Sequence, residues 1–200
     1  HKMVPEDCFE PGDHLAFFEV AGVPCTLIIC HDERYPEFVR LPVLMGARVC
    51  FYVSYEVNSL EQALAKMENY RAQLIARAAE NGIWVVQSNG IGPEPDRPDR
   101  ISLGHSRVVD PSGRVLREAP GLEDSMIAED LTIAAATRGN AMGSLGVHGL
   151  GQWWQEGISR AAGGIQAKAS TRATASAQAG PPIQSGEETE ATRRIPESAR

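Results

Sequence analysis

Along residues 13–131 the apolar positions gather into short unbroken runs separated by polar, glycine- or proline-bearing turns, the pattern of strands buried on both faces. Phe17 to Val20 and Val23 to Ile29 are two such runs, and Ala21-Gly22 between them predicts a hairpin. His1 to Gly12 is polar and proline-bearing and reads as a loop. Glu37 to Met45 has helical spacing, opened by Pro36 and Glu37, which suit a first turn. Pro42 falls inside it, where a proline costs about 3 kcal/mol unless the helix kinks. Arg48 to Val53 is the next strand, so strand, helix and strand predict a right-handed crossover.

A longer helix follows. Ser59 and Gln62 form a capping box, Leu60, Leu64, Met67, Leu74 and Ala78 make an apolar stripe, and Gly82 is a stop. Ile83 to Gln87 predicts a buried strand. Pro93 to Arg100, with three prolines and alternating charge, predicts a surface loop. Ser102 to Val109 and Val115 to Arg117 predict strands around the tight turn Asp110-Pro111-Ser112-Gly113. Met126 to Leu131 predicts a last strand. Leu145, Leu150, Trp153, Trp154 and Ile158 predict a short helix whose tryptophans bury area in a core or a subunit contact.

Composition shifts near Ala161. Residues 161–200 hold three isoleucines as their only large apolar side chains, with no aromatic. Burial there cannot offset an ordering entropy of about 1 to 2 kcal/mol per residue, which predicts a disordered tail after a domain over residues 1–160. The tail carries five basic against four acidic residues and is no polybasic arm.

The 200 residues are 42% hydrophobic with a net charge of -7, which fits one core and gives no electrostatic footprint for nucleic acid or an anionic membrane. Cys8, Cys25, Cys30 and Cys50 include no Cys-x-x-Cys pair and read as reduced cytosolic thiols. Apolar runs never approach the roughly 18 residues of a membrane span, and no basic-then-apolar leader is seen. A cytoplasmic protein is expected.

Chemistry concentrates at Leu27 to Glu37, where an apolar run stops at Cys30 and polar residues take over. A thiol on a strand-to-helix turn sits where its thiolate is favoured. Taken alone, a cysteine ending a buried strand is more often packing than chemistry. Cys30, His31 and Asp32 as metal ligands are disfavoured, because adjacent residues rarely converge on one ion and no distant His pair stands at ligand spacing. No metal and no cofactor are expected.

Ile29-Cys30-His31-Asp32-Glu33-Arg34-Tyr35-Pro36-Glu37 resembles the nucleophile segment of the carbon-nitrogen hydrolase (nitrilase) superfamily. Arg77-Ala78-Ala79-Glu80-Asn81 with Ser88-Asn89, Gly104 to Gly113, Ala128-Glu129-Asp130-Leu131, and Ala136 to Ala141 with Trp153-Trp154 resemble further family segments in the same order. The resemblance implies an α/β fold, a four-layer α-β-β-α sandwich that is incomplete at its N-terminus here. It also implies hydrolysis of a small-molecule amide, N-carbamoyl compound or nitrile through a cysteine thioester, by a homodimer or higher homo-oligomer.

Residue by residue, the resemblance makes Cys30 the nucleophile and Lys2, in Lys-Met-Val-Pro, the group that stabilises the oxyanion. The His31 backbone N–H is the second oxyanion donor. Glu6 is the second glutamate that orients the lysine, with Glu10, inside Phe9-Glu10-Pro11-Gly12, as the alternative. Asp32, Arg34 and Glu37 are expected to fix the turn, and Arg77, Glu80 and Asn89 to act as buried polar supports. Ser54, Tyr55 and Glu56 stand where a pocket would be lined. The family's first glutamate, the general base, precedes the lysine by many residues, and only His1 stands there. The expectation is that the start of the protein lies upstream and that these residues alone do not turn over substrate. A non-catalytic homologue serving as a binding or assembly subunit is the other reading.

Overall fold

The computed structural model describes residues 12–163. The described residues fall into two units, 12–150 and 151–163. The tail predicted over residues 161–200 lies outside the described residues beyond Gly163, as does the predicted N-terminal loop except for Gly12.

In the first unit β1 (Ala16–Val20) and β2 (Val23–Ile29) pair antiparallel across Ala21 (φ 50°) and Gly22 (φ 77°). Two successive left-handed residues match the strands' own twist. A 3-10 turn, Cys30–Arg34, leads to α1 (Glu37–Met45), which stays helical past Pro42 although that residue has no N–H to donate, and stops at Gly46. β3 (Val49–Ser54) then returns parallel to β2. After the two-residue β4 (Asn58–Ser59), α2 (Leu60–Asn81) starts where the Ser59 hydroxyl accepts the Gln62 N–H at 3.3 Å. It ends at Gly82, φ 65°, which no Cβ-bearing residue enters without strain. β5 (Trp84–Asn89) lies parallel to β3.

The sheet reads β1-β2-β3-β5-β8-β9, with β8 (Arg107–Val109) and β9 (Val115–Glu118) antiparallel at its far edge. Period-two alternation sorts its side chains. Ile28, Cys50, Tyr52, Val85 and Val109 face a core closed by Val39 and Val43 of α1, Leu74 and Ala78 of α2, and Ala141 of α3 (Gly139–Leu145). Cys25, Val49, Trp84 and Val108 face the other way, against Ala136, Ile127, Leu131 and Ile133. Toward the Cys30 end that second face opens, with Ile29 and Val53 exposed. Of the four layers expected, the described residues contain a helical layer and this six-stranded sheet.

Several expectations are corrected. Pro93 to Arg100 is no loop: β6 (Ile91–Glu94) and β7 (Arg97–Leu103) pair there, and with β4 form a three-stranded sheet. Pro98 falls where the register shifts, so no ladder bond is asked of it. Ser102 to Val109 is not one strand, because Gly104 (φ 77°) and His105 (φ 58°) turn the chain from the small sheet into the large one. Met126 to Leu131 forms no strand; Met126 is exposed, while Ile127 and Leu131 cover the second face from an irregular segment. The stripe on α2 is buried only in its second half, at Leu74 and Ala78, and Leu60 and Leu64 are exposed. In the second unit residues 151–163 are helical, with Trp153, Trp154 and Ile158 exposed rather than in a core.

Candidate active site

Three parallel strands end together. The register pairs Ile29 with Val53, and Ser54 with Asn89, so Cys30, the Ser54–Glu56 segment and Asn89 meet at the carboxyl ends of β2, β3 and β5. Cys30 has φ 47°, a left-handed backbone on a residue with a Cβ, which costs of order 1 kcal/mol or more and persists only where the surroundings hold it.

The holding contacts are explicit. The Asp32 carboxylate accepts the Ile29 N–H at 3.1 Å, and the Tyr35 N–H reaches back to the Asp32 carbonyl at 3.0 Å. Arg77, buried on α2, donates to the Glu33 carbonyl at 2.8 Å and to the Glu80 carboxylate at 3.0 Å. The long helix is thereby tied to the turn that carries the cysteine. Glu80 itself is only half-buried, so the expectation of a buried support there is corrected. Arg34 is exposed, and Glu37 opens α1, where its charge suits the helix dipole.

Asn89 organises the opposite wall. Its side-chain oxygen accepts from the Ser54 hydroxyl at 3.0 Å and the Glu56 N–H at 3.2 Å, and its amide nitrogen donates to the Gly104 carbonyl at 2.8 Å. Glu56 is thus placed by its own backbone, and its carboxylate accepts the Tyr52 hydroxyl at 2.8 Å. Tyr55 is exposed, but its ring leaves no room at Gly90, where an added Cβ would sit 2.3 Å from Tyr55 Cδ2. Glu56, Tyr70, Asn89, His105 and Arg107 line a small cleft on this side. A larger cleft of about 580 Å³, bordered by Trp84, Asp110 and Glu129, lies at the other end of β5 from Cys30.

Electrostatics correct one expectation. Burial pushes the Cys30 thiol up from its ordinary value, the Tyr55 and His31 N–H groups oppose this, and the carboxyls of Glu56 and Glu33 push the same way as burial. The thiolate is not favoured by the turn alone. A 3-10 turn, rather than the first turn of α1, follows the cysteine. Cys25 and Cys50 are free and buried, and burial pushes Cys50 up to about 12.

Two groups that sequence reasoning passed over stand beside the thiol. Glu33, 2% exposed, is pushed up to about 7 by burial, against the Tyr52 hydrogen bond and with the help of Glu56. Tyr52 is fully buried and its hydroxyl donates to the Glu56 carboxylate. The signal for Tyr52 was its parity with Cys50 in a two-sided strand, since a buried tyrosine needs a partner for its hydroxyl. Glu33 gave none, because a glutamate within Cys-His-Asp-Glu-Arg looks like part of a solvated turn. Lys2, Glu6 and Glu10 lie outside the described residues. Among the described residues no cluster of His, Cys, Asp and Glu could hold a metal ion, and no helix is long and apolar enough to cross a membrane.

The mixed α/β sheet with its helical layer is a nitrilase-type fold. The sequence profile for carbon-nitrogen hydrolases matches residues 2–139, and the chain belongs to that family. It is 35% identical over 122 residues to a 2-oxoglutaramate amidase of Bacillus subtilis, covering 61% of this chain and 43% of the relative. It is 33% identical over 111 residues to an (R)-stereoselective amidase of a Pseudomonas species, covering 56% and 38%. Among solved structures it is similar to an amidase from Nesterenkonia sp. AN1 carrying the acetamide moiety of fluoroacetamide on its active-site cysteine. That match has a TM-score of 0.53 at 29% identity and covers 64% of this chain and 45% of that one. The chain therefore spans about two fifths of the length of these curated relatives.

Proposed function

We propose that this chain carries the nucleophile-bearing part of an amidase that hydrolyses the carbon–nitrogen bond of a small-molecule amide through a thioester on Cys30. The observation that carries the reading is the left-handed Cys30 at the end of β2, with Ser54 to Glu56 and Asn89 gathered at the neighbouring strand ends. In this reading the Cys30 sulfur attacks the amide carbon and the carbonyl oxygen becomes an oxyanion. The His31 N–H and the Lys2 ammonium receive that charge, in the way that fixed donors stabilise tetrahedral intermediates. The thiol proton passes through a general base to the leaving nitrogen, so that the collapse expels ammonia and leaves the acyl group on sulfur; water then releases the acid. Glu6, or Glu10 in its place, orients Lys2. Ser54, Tyr55 and Glu56 line the substrate side. Amidase relatives support amides ahead of nitriles and carbamoyl compounds, and the Bacillus subtilis relative makes 2-oxoglutaramate the first compound to try.

A panel of ω-amides, carbamoyl amino acids and nitriles, assayed for ammonia with the full-length protein, tests this. Release from an amide, lost by at least a thousandfold in Cys30→Ala, is the expected outcome. Release that survives the substitution overturns the nucleophile assignment.

A further inference from the structure

Tyr55 and Gly90 meet at the strand ends beside Cys30. Val53 stands opposite Ile29 in the ladder, so Cys30, one residue past Ile29, and Tyr55, two past Val53, leave the sheet at the same end. Gly90 follows Asn89, the last residue of β5, which stands opposite Ser54. A Cβ built on Gly90 would lie 2.3 Å from Tyr55 Cδ2, 2.8 Å from Cε2 and 3.4 Å from Cγ. All three nearest atoms belong to one ring, so any side chain at position 90 displaces it. The backbone of Gly90 is not left-handed, and conformational freedom does not call for a glycine there; the close approach of the ring does. Nor can the glycine give way. Its N–H donates to the Ser54 carbonyl at 3.1 Å, and its carbonyl accepts the Ser102 hydroxyl at 2.6 Å. The two tyrosines of this segment therefore differ in use. Tyr52 is buried and gives its hydroxyl to Glu56, whereas Tyr55 rests against fixed backbone on one side and is 44% exposed.

We propose that Gly90 seats the Tyr55 ring as a wall of the substrate site, and that the pair selects amides whose acyl group lays an aryl or branched alkyl surface on that ring. The proposal rests on the reading of Cys30 as nucleophile, because the acyl group held on its sulfur is the part that reaches the neighbouring strand end. A tyrosine has few rotatable bonds, so a seated ring offers a large contact area at little further entropic cost. Ile29 and Val53, both exposed, stand just behind it on β2 and β3 and extend the apolar surface. Gly90 touches no substrate in this arrangement. It is a positioning residue that acts through Tyr55, and its influence ends where the ring is removed.

The test is a double-mutant cycle in the full-length protein: wild type, Tyr55→Ala, Gly90→Ala and the two together. Ammonia release is assayed from phenylacetamide and from acetamide. In parallel, Cys30 is alkylated by N-benzyl iodoacetamide and by iodoacetamide and read by mass spectrometry of its peptide. Wild type should prefer the aryl member of each pair. That preference should fall roughly tenfold in Tyr55→Ala and by a similar factor in Gly90→Ala, with the change in hydrolysis carried by KM. In the Tyr55→Ala background Gly90→Ala should add nothing, because the methyl group then has room. A merely structural role for Gly90 predicts equal losses on both members of a pair, repeated in either background. Should Gly90→Ala alone fail to fold, the double variant still reads the pair, and it should fold and match Tyr55→Ala. No aryl preference in wild type, a preference unmoved by Tyr55→Ala, or a Gly90→Ala effect that persists without the ring overturns the proposal. Alkylation does not depend on turnover, so the two readings fail separately. Aryl preference lost as expected but with no hydrolysis sinks the amidase reading and leaves the wall standing; hydrolysis that requires Cys30, with the preference unmoved, does the reverse.

Discussion

Two buried carboxyl groups in this protein are treated in opposite ways. Asp110, in the turn between β8 and β9, is only 8% exposed, yet it is surrounded by donors. Its Oδ1 accepts from the Ser112 N–H at 2.9 Å, the Ser112 hydroxyl at 2.6 Å and the Arg114 N–H at 3.0 Å, and its Oδ2 accepts from Arg114 Nε at 3.2 Å. Burial pushes its pKa up, but the Ser112 and Arg114 bonds more than offset this and leave it below the usual carboxylate range. Glu33 has a phenol, a second carboxyl and an unpartnered oxygen, and is pushed up. A carboxyl supplied with donors holds a fold. One left short of donors beside a thiol is a candidate for chemistry.

The largest effect on stability is expected where the helix is tied to the turn. Arg77→Met removes the donor to the Glu33 carbonyl and leaves the Glu80 carboxylate without its partner. Chemical denaturation should show a loss of about 3 kcal/mol; a loss under 1 kcal/mol would mean that α2 does not hold the turn. Glu33→Gln comes next, and its sign is opposite. A carboxyl raised from 4.5 to about 7 in the folded state contributes stability that is present below pH 4.5 and lost as pH rises through 7. At pH 8 the variant should therefore be more stable than wild type by about 2 to 3 kcal/mol, and its stability should vary less between pH 5 and 7. Equal stability at pH 8 would mean that the burial of Glu33 is compensated elsewhere.

Asp110→Ala is the smallest of the three, at about 1 to 2 kcal/mol destabilising at pH 7. Because the folded pKa of Asp110 is depressed, its contribution is present above the unfolded value and is lost as pH falls through the folded one. The difference between wild type and variant should shrink on acidification, whereas the Glu33 difference shrinks in the same direction for the opposite reason, through protonation of an unwanted charge. Unfolding curves of both variants at pH 3 and pH 8 sharpen the contrast.

What was legible in the sequence followed from local rules. The Ala21-Gly22 hairpin, the Ser59 and Gly82 ends of α2 and the strand-to-turn change at Cys30 depend on residues next to one another. What was not legible depends on partners far away in the chain. The β6–β7 hairpin hid behind prolines that edge and bulge positions tolerate, and Met126 to Leu131 begins with an apolar run but pairs with no strand among the described residues. Leu60 and Leu64 continue a helical stripe past the end of the surface it covers. Within the site, Cys30 was visible as a motif, while Tyr52 and Glu33 meet only because β3 and the 3-10 turn lie side by side in the fold. Motif reading finds groups close in sequence; it does not find Asn89 holding Ser54 and the Glu56 backbone from more than 30 residues further along the chain.

The most direct test of the account is to trap the covalent intermediate. Full-length protein is mixed with an amide it hydrolyses, quenched in acid during turnover and mapped by peptide mass. The account predicts an acyl group on the Cys30 peptide that is absent from Cys30→Ser and decays as ammonia production ends. An acyl group on another residue, or continued hydrolysis by Cys30→Ala without any adduct, would contradict it.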